Sequence, residues 1–156
     1  MDKIESFCIN HLKLYKGLYL SRKDTFNGTV ISTFDLRMTA PNREPPIDVS
    51  ALHTIEHLFA TYLRNSASKD RIVYFGPMGC RTGFYLLVRD LDNETVLRET
   101  KKVLELIANH QGAMFGASRK ECGNYRELSV ESAKAEATRY LAALNSREQT
   151  FEYPKA

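Results

Sequence analysis

Apolar and polar residues alternate with a period of two through residues 28–38: Val30, Phe34, Leu36 and Met38 fall on one side, Ile31, Thr33, Asp35 and Arg37 on the other. That period predicts a strand with Phe34 and Leu36 in the core and Arg37 projecting from the opposite face. Residues 12–20 are a weaker strand candidate, because the alternation breaks at Lys16-Gly17. Pro41-Asn42 through Pro45-Pro46 reads as a loop, since adjacent prolines remove donors and fix φ. The period then becomes helical from about 50 to 67, with Asp48 or Ser50 as cap and Leu52, Ile55, Phe59 and Leu63 as the core stripe. Residues 71–75 and 83–89 read as strands joined by the Gly76-Pro77-Met78-Gly79-Cys80 turn. After the Asp92-Asn93 cap a helix is predicted over about 94–109, with Val96, Val103, Leu104 and Ile107 inward. A loop over 112–125 carries Cys122, and a last helix over about 130–145 is capped by Ser129. Strands and helices mix without strict alternation, which predicts an α+β domain rather than a doubly wound sheet.

Composition narrows the picture. A chain of 156 residues fits one domain, 1–156, with a real core. The longest apolar runs, such as 84–88, are far too short to span a bilayer. The opening Met-Asp-Lys-Ile-Glu-Ser lacks the basic and apolar blocks of a secretory signal, so a cytoplasmic location is expected. The net charge of +3 is mild and its basic residues are scattered, which argues against a nucleic-acid partner. Cys8, Cys80 and Cys122 are an odd set, favouring free thiols over a disulfide framework.

His53-Thr54-Ile55-Glu56-His57 is the most informative segment. Residues four apart share a helix face, so His53 and His57 can aim ring nitrogens at one ion. Glu56 lies about 60° around the axis from His53, near enough to act on a metal-bound water or substrate without being a ligand. Both histidines lie off the apolar stripe, and Arg64 returns to nearly the azimuth of His53. A catalytic ion commonly takes three protein ligands and leaves one position open. Cys122 suits the third place by type and by its loop, but on the residues alone Cys80 competes with it. Cys80 lies between Gly79 and Gly83 with Arg81 beside it, a setting in which glycines allow close approach and a cation favours the thiolate. Cys8 reads as a structural residue and His110 as a solvated residue at a helix C-terminus.

Taken together, Ser6-Phe7 with His11, Phe34-Asp35-Leu36-Arg37, Pro41-Asn42, His53-Thr54-Ile55-Glu56-His57-Leu58, Pro77-Met78-Gly79-Cys80-Arg81-Thr82-Gly83-Phe84-Tyr85 and Cys122-Gly123 resemble the S-ribosylhomocysteine lyase family, across essentially the whole chain. The resemblance implies a two-layer α+β fold with a largely antiparallel four-stranded sheet packed by helices, and a homodimer with its active sites at the interface. It implies His53, His57 and Cys122 as metal ligands, Cys80 and Glu56 as acid/base residues, and Ser6, His11 and Arg37 at the substrate pocket. Arg64 fits that pocket on helix geometry. It further implies one divalent ion per subunit, natively ferrous iron, with zinc or cobalt as substitutes. The implied reaction moves a carbonyl along the ribose and releases homocysteine by β-elimination, leaving 4,5-dihydroxy-2,3-pentanedione, the autoinducer-2 precursor.

The sequence departs from the family pattern at three places. Tyr74-Phe75-Gly76 stands where an acidic residue and a serine often precede Pro-Met-Gly-Cys, Asn10 where aspartate is common, and Leu128 where many members have histidine. Two other readings compete. A metal-dependent hydrolase would use Glu56 and bound water without Cys80, and a non-enzymatic domain would close its ion with four protein ligands.

Overall fold

The computed structural model describes residues 1–155. Its sheet has four antiparallel strands in the order β1-β2-β4-β3, with β1 Gly17–Phe26, β2 Thr29–Arg37, β3 Ile72–Pro77 and β4 Gly83–Arg89. Three long helices complete the domain: α1 Val49–Arg64, α2 Asn93–Ala108 and α3 Val130–Asn145. Leu18, Phe34, Leu36, Phe75, Phe84, Leu86 and Val88 meet the buried sides of all three helices in one core. The α+β expectation holds, as does the stripe of Leu52, Ile55, Phe59 and Leu63 on α1. No helix of the described residues is long and apolar enough to cross a membrane.

The first strand differs from expectation. It begins at Gly17, where the alternation was expected to fail, and runs on to Phe26. Its outer half carries Arg22, Lys23 and Asp24, and a register shift between Leu20 and Arg22 interrupts the period of two. A bulge of this kind hides a strand from a test of strict alternation. The turn that follows is Asn27-Gly28, with Phe26 paired to Thr29 and φ of 49° and 82° at the two central residues. Positive φ at both positions is the requirement of a two-residue hairpin turn whose twist matches the strands, and Asn-Gly supplies it.

Capping follows the sequence closely. Asp48 accepts from the Ser50 N–H, Asp92 from Thr95 and Ser129 from Ser132, which satisfies donors that a helix start leaves free. The α1 helix ends at Arg64 rather than near 67. Ser129 also donates its N–H to Thr54 Oγ1 at 2.7 Å, tying the start of α3 to the middle of α1.

The face of the sheet away from the helices is polar where Asp35 and Arg37 project from β2. Both are buried, at 0% and 2% exposure, so the face opposite Phe34 and Leu36 is covered as well. Tyr19 and Tyr85 are the cross-strand partners of Asp35. The C-terminal tail follows the edge of β1, with Leu20 donating to the Phe151 carbonyl, and the Tyr153 ring stacks on Tyr19 at 5.0 Å. Tyr153 donates its hydroxyl to Asp35 Oδ2 at 2.8 Å. Burial, reinforced by the Asp35 charge, raises the Tyr153 phenol above its ordinary range, so it stays protonated and a donor.

Candidate functional site

Helix α1 presents His53, Glu56, His57 and Arg64 to one cavity of about 570 Å³. The opposite wall is the loop carrying Glu121, Cys122 and Gly123, with Tyr74 and Phe75 of β3 at the side. Donor atoms of His53, His57 and Cys122 all lie within 4.8 Å of one another, and Cys122 Sγ is 3.4 Å from His53 Nε2. Tetrahedral coordination at ordinary Zn–N and Zn–S lengths puts ligand atoms roughly 3.3–3.6 Å apart, so the Cys122–His53 pair already has that spacing and the widest pair would close by about 1 Å around one ion. The cluster holds three donors among the described residues, one fewer than a closed structural site takes, which disfavours the four-ligand reading.

Each ligand is held from behind. His57 Nδ1 donates to the Phe115 carbonyl at 3.0 Å, which leaves Nε2 to face the cavity. His53 Nδ1 lies 3.9 Å from the Glu127 carboxylate, and Glu127 in turn accepts from Asn124 Nδ2 at 2.6 Å. The Asn124 N–H points at Cys122 Sγ from 3.4 Å, an arrangement that suits a thiolate. Glu127, Asn124 and Phe115 were not visible as functional residues in the sequence, since nothing in local spacing ties them to the histidines. Glu121 was also missed; it adds a second carboxylate to the cavity where the family's usual acidic position is occupied by neutral residues.

Cys80 lies elsewhere. It sits at the tip of the β3–β4 connection, exposed, in a cavity of about 270 Å³ lined with His11, Asn42, Glu44, Pro46 and Thr82. The connection is pinned on both sides: Met38 and Thr39 donate to the Thr82 carbonyl, and Ile47 donates to that of Arg81. The two neighbouring glycines differ in what surrounds them. Gly83 has no room for a side chain because a Cβ would stand 2.3 Å from the Leu36 carbonyl oxygen, while Gly79 faces open space. The residue in left-handed conformation is Arg81, at φ 57°, and its guanidinium turns to the Ile47 carbonyl.

The cation that supports Cys80 is Arg37, acting through Thr82. Arg37 donates to both oxygens of Asp35, at 3.1 and 2.7 Å, and from Nη1 to Thr82 Oγ1 at 2.6 Å. Thr82 Oγ1 lies 3.0 Å from Cys80 Sγ. A guanidinium has no acceptor, so Thr82 must accept from Arg37, and its single hydroxyl hydrogen is free to point at sulfur. Burial alone would lower the Arg37 guanidinium, but the Asp35 charge and hydrogen bonds raise it above its ordinary value, so the positive charge is secure.

Of the remaining expected residues, His11 meets Cys80 in its cavity and Arg64 meets the metal ligands in theirs. His11 donates Nδ1–H to the Ile9 carbonyl at 2.9 Å, leaving Nε2 free. Ser6 lies in the short 3-10 turn Glu5–Phe7 and lines neither cavity. Cys8 is exposed rather than structural, and His110 is buried rather than solvated, at 5% exposure. The buried histidine packs under the loop that reaches His57, a tertiary contact that its place after a helix does not reveal.

Comparison with known proteins agrees along nearly the whole chain. A profile of the family described as S-ribosylhomocysteinase (LuxS) matches residues 4–151. The chain is 49% identical to the S-ribosylhomocysteine lyase of Finegoldia magna, over 99% of this chain and 100% of that protein. Identity to the protein of the same name from Borreliella burgdorferi is 48%, and from Clostridium acetobutylicum 44%, each with the same coverage.

Proposed function

This chain belongs to the S-ribosylhomocysteine lyase family, and we propose that it works with Glu56 and Cys80 as its two proton carriers, drawn from different subunits of a homodimer. The enzyme is a carbon–sulfur lyase that converts S-ribosylhomocysteine to homocysteine and the autoinducer-2 precursor 4,5-dihydroxy-2,3-pentanedione. The observation that carries the mechanistic reading is the shared cavity of His53, His57, Cys122 and Glu56, with Cys80 in another.

His53, His57 and Cys122 would hold a divalent ion, which would supply Lewis acidity to the sugar. The mixed imidazole and thiolate set suits ferrous iron, with zinc or cobalt able to replace it. Glu56 and the Cys80 thiolate take a proton from one ribose carbon and return it to the next, so the carbonyl passes from C1 to C2 to C3. With the carbonyl at C3 the C4 proton becomes acidic. Its removal expels homocysteine from C5 as the thiolate, which then takes up a proton. Arg64 at the metal cavity and His11 beside Cys80 bind the substrate's polar groups, with Ser6 on the N-terminal arm. Arg37 closes the Cys80 pocket from behind through Thr82.

Support for the shared site comes from the separation of the two cavities and from the N-terminal arm. Ile4, Phe7 and Leu12 stand 59%, 72% and 71% exposed, an apolar surface that a second copy would cover. The free thiols at Cys8, Cys80 and Cys122 suit the reducing cytoplasm. A thiol-release assay on metal-loaded protein tests the reaction itself: S-ribosylhomocysteine should yield one free thiol per turnover. A protein that binds the ion yet releases none would overturn the assignment of chemistry to these residues.

A further inference from the structure

The loop between α2 and Cys122 makes no main-chain to main-chain hydrogen bond from Gln111 to Ala117 among the described residues. Yet one carbonyl in it, that of Phe115, accepts the His57 Nδ1–H. What places that carbonyl is a cluster of three rings. Phe115 meets Tyr62 edge-on with centroids 5.4 Å apart and His110 edge-on at 5.3 Å, and Tyr62 meets His110 at 6.0 Å. Tyr62 and His110 are locked together by a hydrogen bond of 2.6 Å between the phenol oxygen and Nδ1.

The cluster spans the elements that matter. Tyr62 lies on α1, five positions beyond His57, so the ligand and the clasp share one rigid rod. His110 follows the end of α2, and Phe115 belongs to the loop that continues to the third ligand, Cys122. The fit against His57 is tight: Gly116 is at φ 64°, and a Cβ there would lie 3.0 Å from His57 Nδ1. His110 is also costly as a packing residue. Its Nε2 is buried with no partner, a penalty that a phenylalanine would avoid, so the residue's value lies in the Nδ1 contact to Tyr62.

We propose that Tyr62, His110 and Phe115 form a positioning clasp that fixes the tautomer and ring orientation of His57, and through it the metal affinity of the site. The clasp rests on the reading of His57 as a ligand through Nε2. Partners of this kind, one step removed from the ion, typically change metal affinity by roughly ten- to a hundredfold when removed.

The test uses the full-length protein stripped of metal and titrated with Co²⁺ and Zn²⁺ against a competing chelator. Tyr62→Phe keeps the ring and removes one oxygen; His110→Ala opens the cluster. The dissociation constant should rise by about tenfold in Tyr62→Phe and by up to about a hundredfold in His110→Ala, with a changed Co²⁺ ligand-field spectrum in both. Metal-free Tyr62→Phe should still unfold in one cooperative transition, at a temperature lowered by the lost hydrogen bond of His110. A Tyr62→Phe variant that binds both ions within twofold of the parent and shows the parent spectrum would overturn the clasp, whatever His110→Ala does to folding. Failure of the parent protein itself to bind either ion would instead remove the ligand reading beneath it.

Discussion

Around the metal cavity the supporting atoms come from a loop, whereas around Cys80 they come from the sheet. His57 leans on the Phe115 carbonyl and His53 on Glu127, both in the irregular stretch between α2 and α3. Cys80 leans on Thr82, Arg37, Asp35 and Tyr153, a chain of side chains that runs from the residue just before β4 through β2 to the C-terminal tail. The difference fits the chemistry proposed for each place. A site that loads an ion and admits a sugar needs an approachable wall, and a loop can be that wall without breaking the core. A thiolate that moves protons needs a fixed positive charge close by, and a charge can be buried only with its full set of partners.

The contrast can be tested from its largest expected consequence downward. Glu56→Gln and Cys80→Ala should each lower turnover by roughly a hundred- to ten-thousandfold while both variants keep the ion, since each removes one proton carrier and no ligand. Steady-state thiol release together with metal analysis checks this. If Cys80→Ala kept parent turnover, the division into two supports would have no catalytic meaning. Asp35→Asn should destabilise the fold by about 3–5 kcal/mol, because it strands a buried guanidinium. Urea unfolding of the metal-free protein measures it, and a shift below 1 kcal/mol would mean that water reaches Arg37. Thr82→Val keeps the shape and removes the hydroxyl between Arg37 and Cys80. It should lower turnover by roughly tenfold, the value of one hydrogen bond to a charged group. That loss should come with an unchanged metal affinity, which separates the sheet's support from the loop's.

The two regions also differ in how much of them the sequence discloses. The spacing of His53 and His57 declares a shared helix face without any structure, because four residues is close to one turn. The caps at Asp48, Asp92 and Ser129 are equally local and equally legible. Cys122 and Cys80 are not separable by such reasoning; only the folded loop brings Cys122 Sγ within 3.4 Å of His53. The Thr82 link was hidden for a related reason. It depends on β2 and β4 pairing in the register Arg37↔Gly83, a long-range choice. The Asn27-Gly28 turn was legible in principle, but the bulge near Ser21 and the polar outer half of β1 obscured the strand before it. His110 was misplaced because its burial is made by Tyr62 and Phe115, which are distant along the chain or lie in an irregular loop.

In the composite site proposed above, the metal cavity of one subunit works with the Cys80 of the other. Mixing two inactive proteins tests it most directly: His57→Ala, which lacks a ligand, and Cys80→Ala, which lacks the thiol. After dissociation and reassociation in equal amounts, about half of the dimers are mixed and each holds one intact composite site, so thiol release should recover to about a quarter of the parent rate. Mixed dimers demonstrated by mass yet still inactive would contradict the shared site and return both proton carriers to a single subunit.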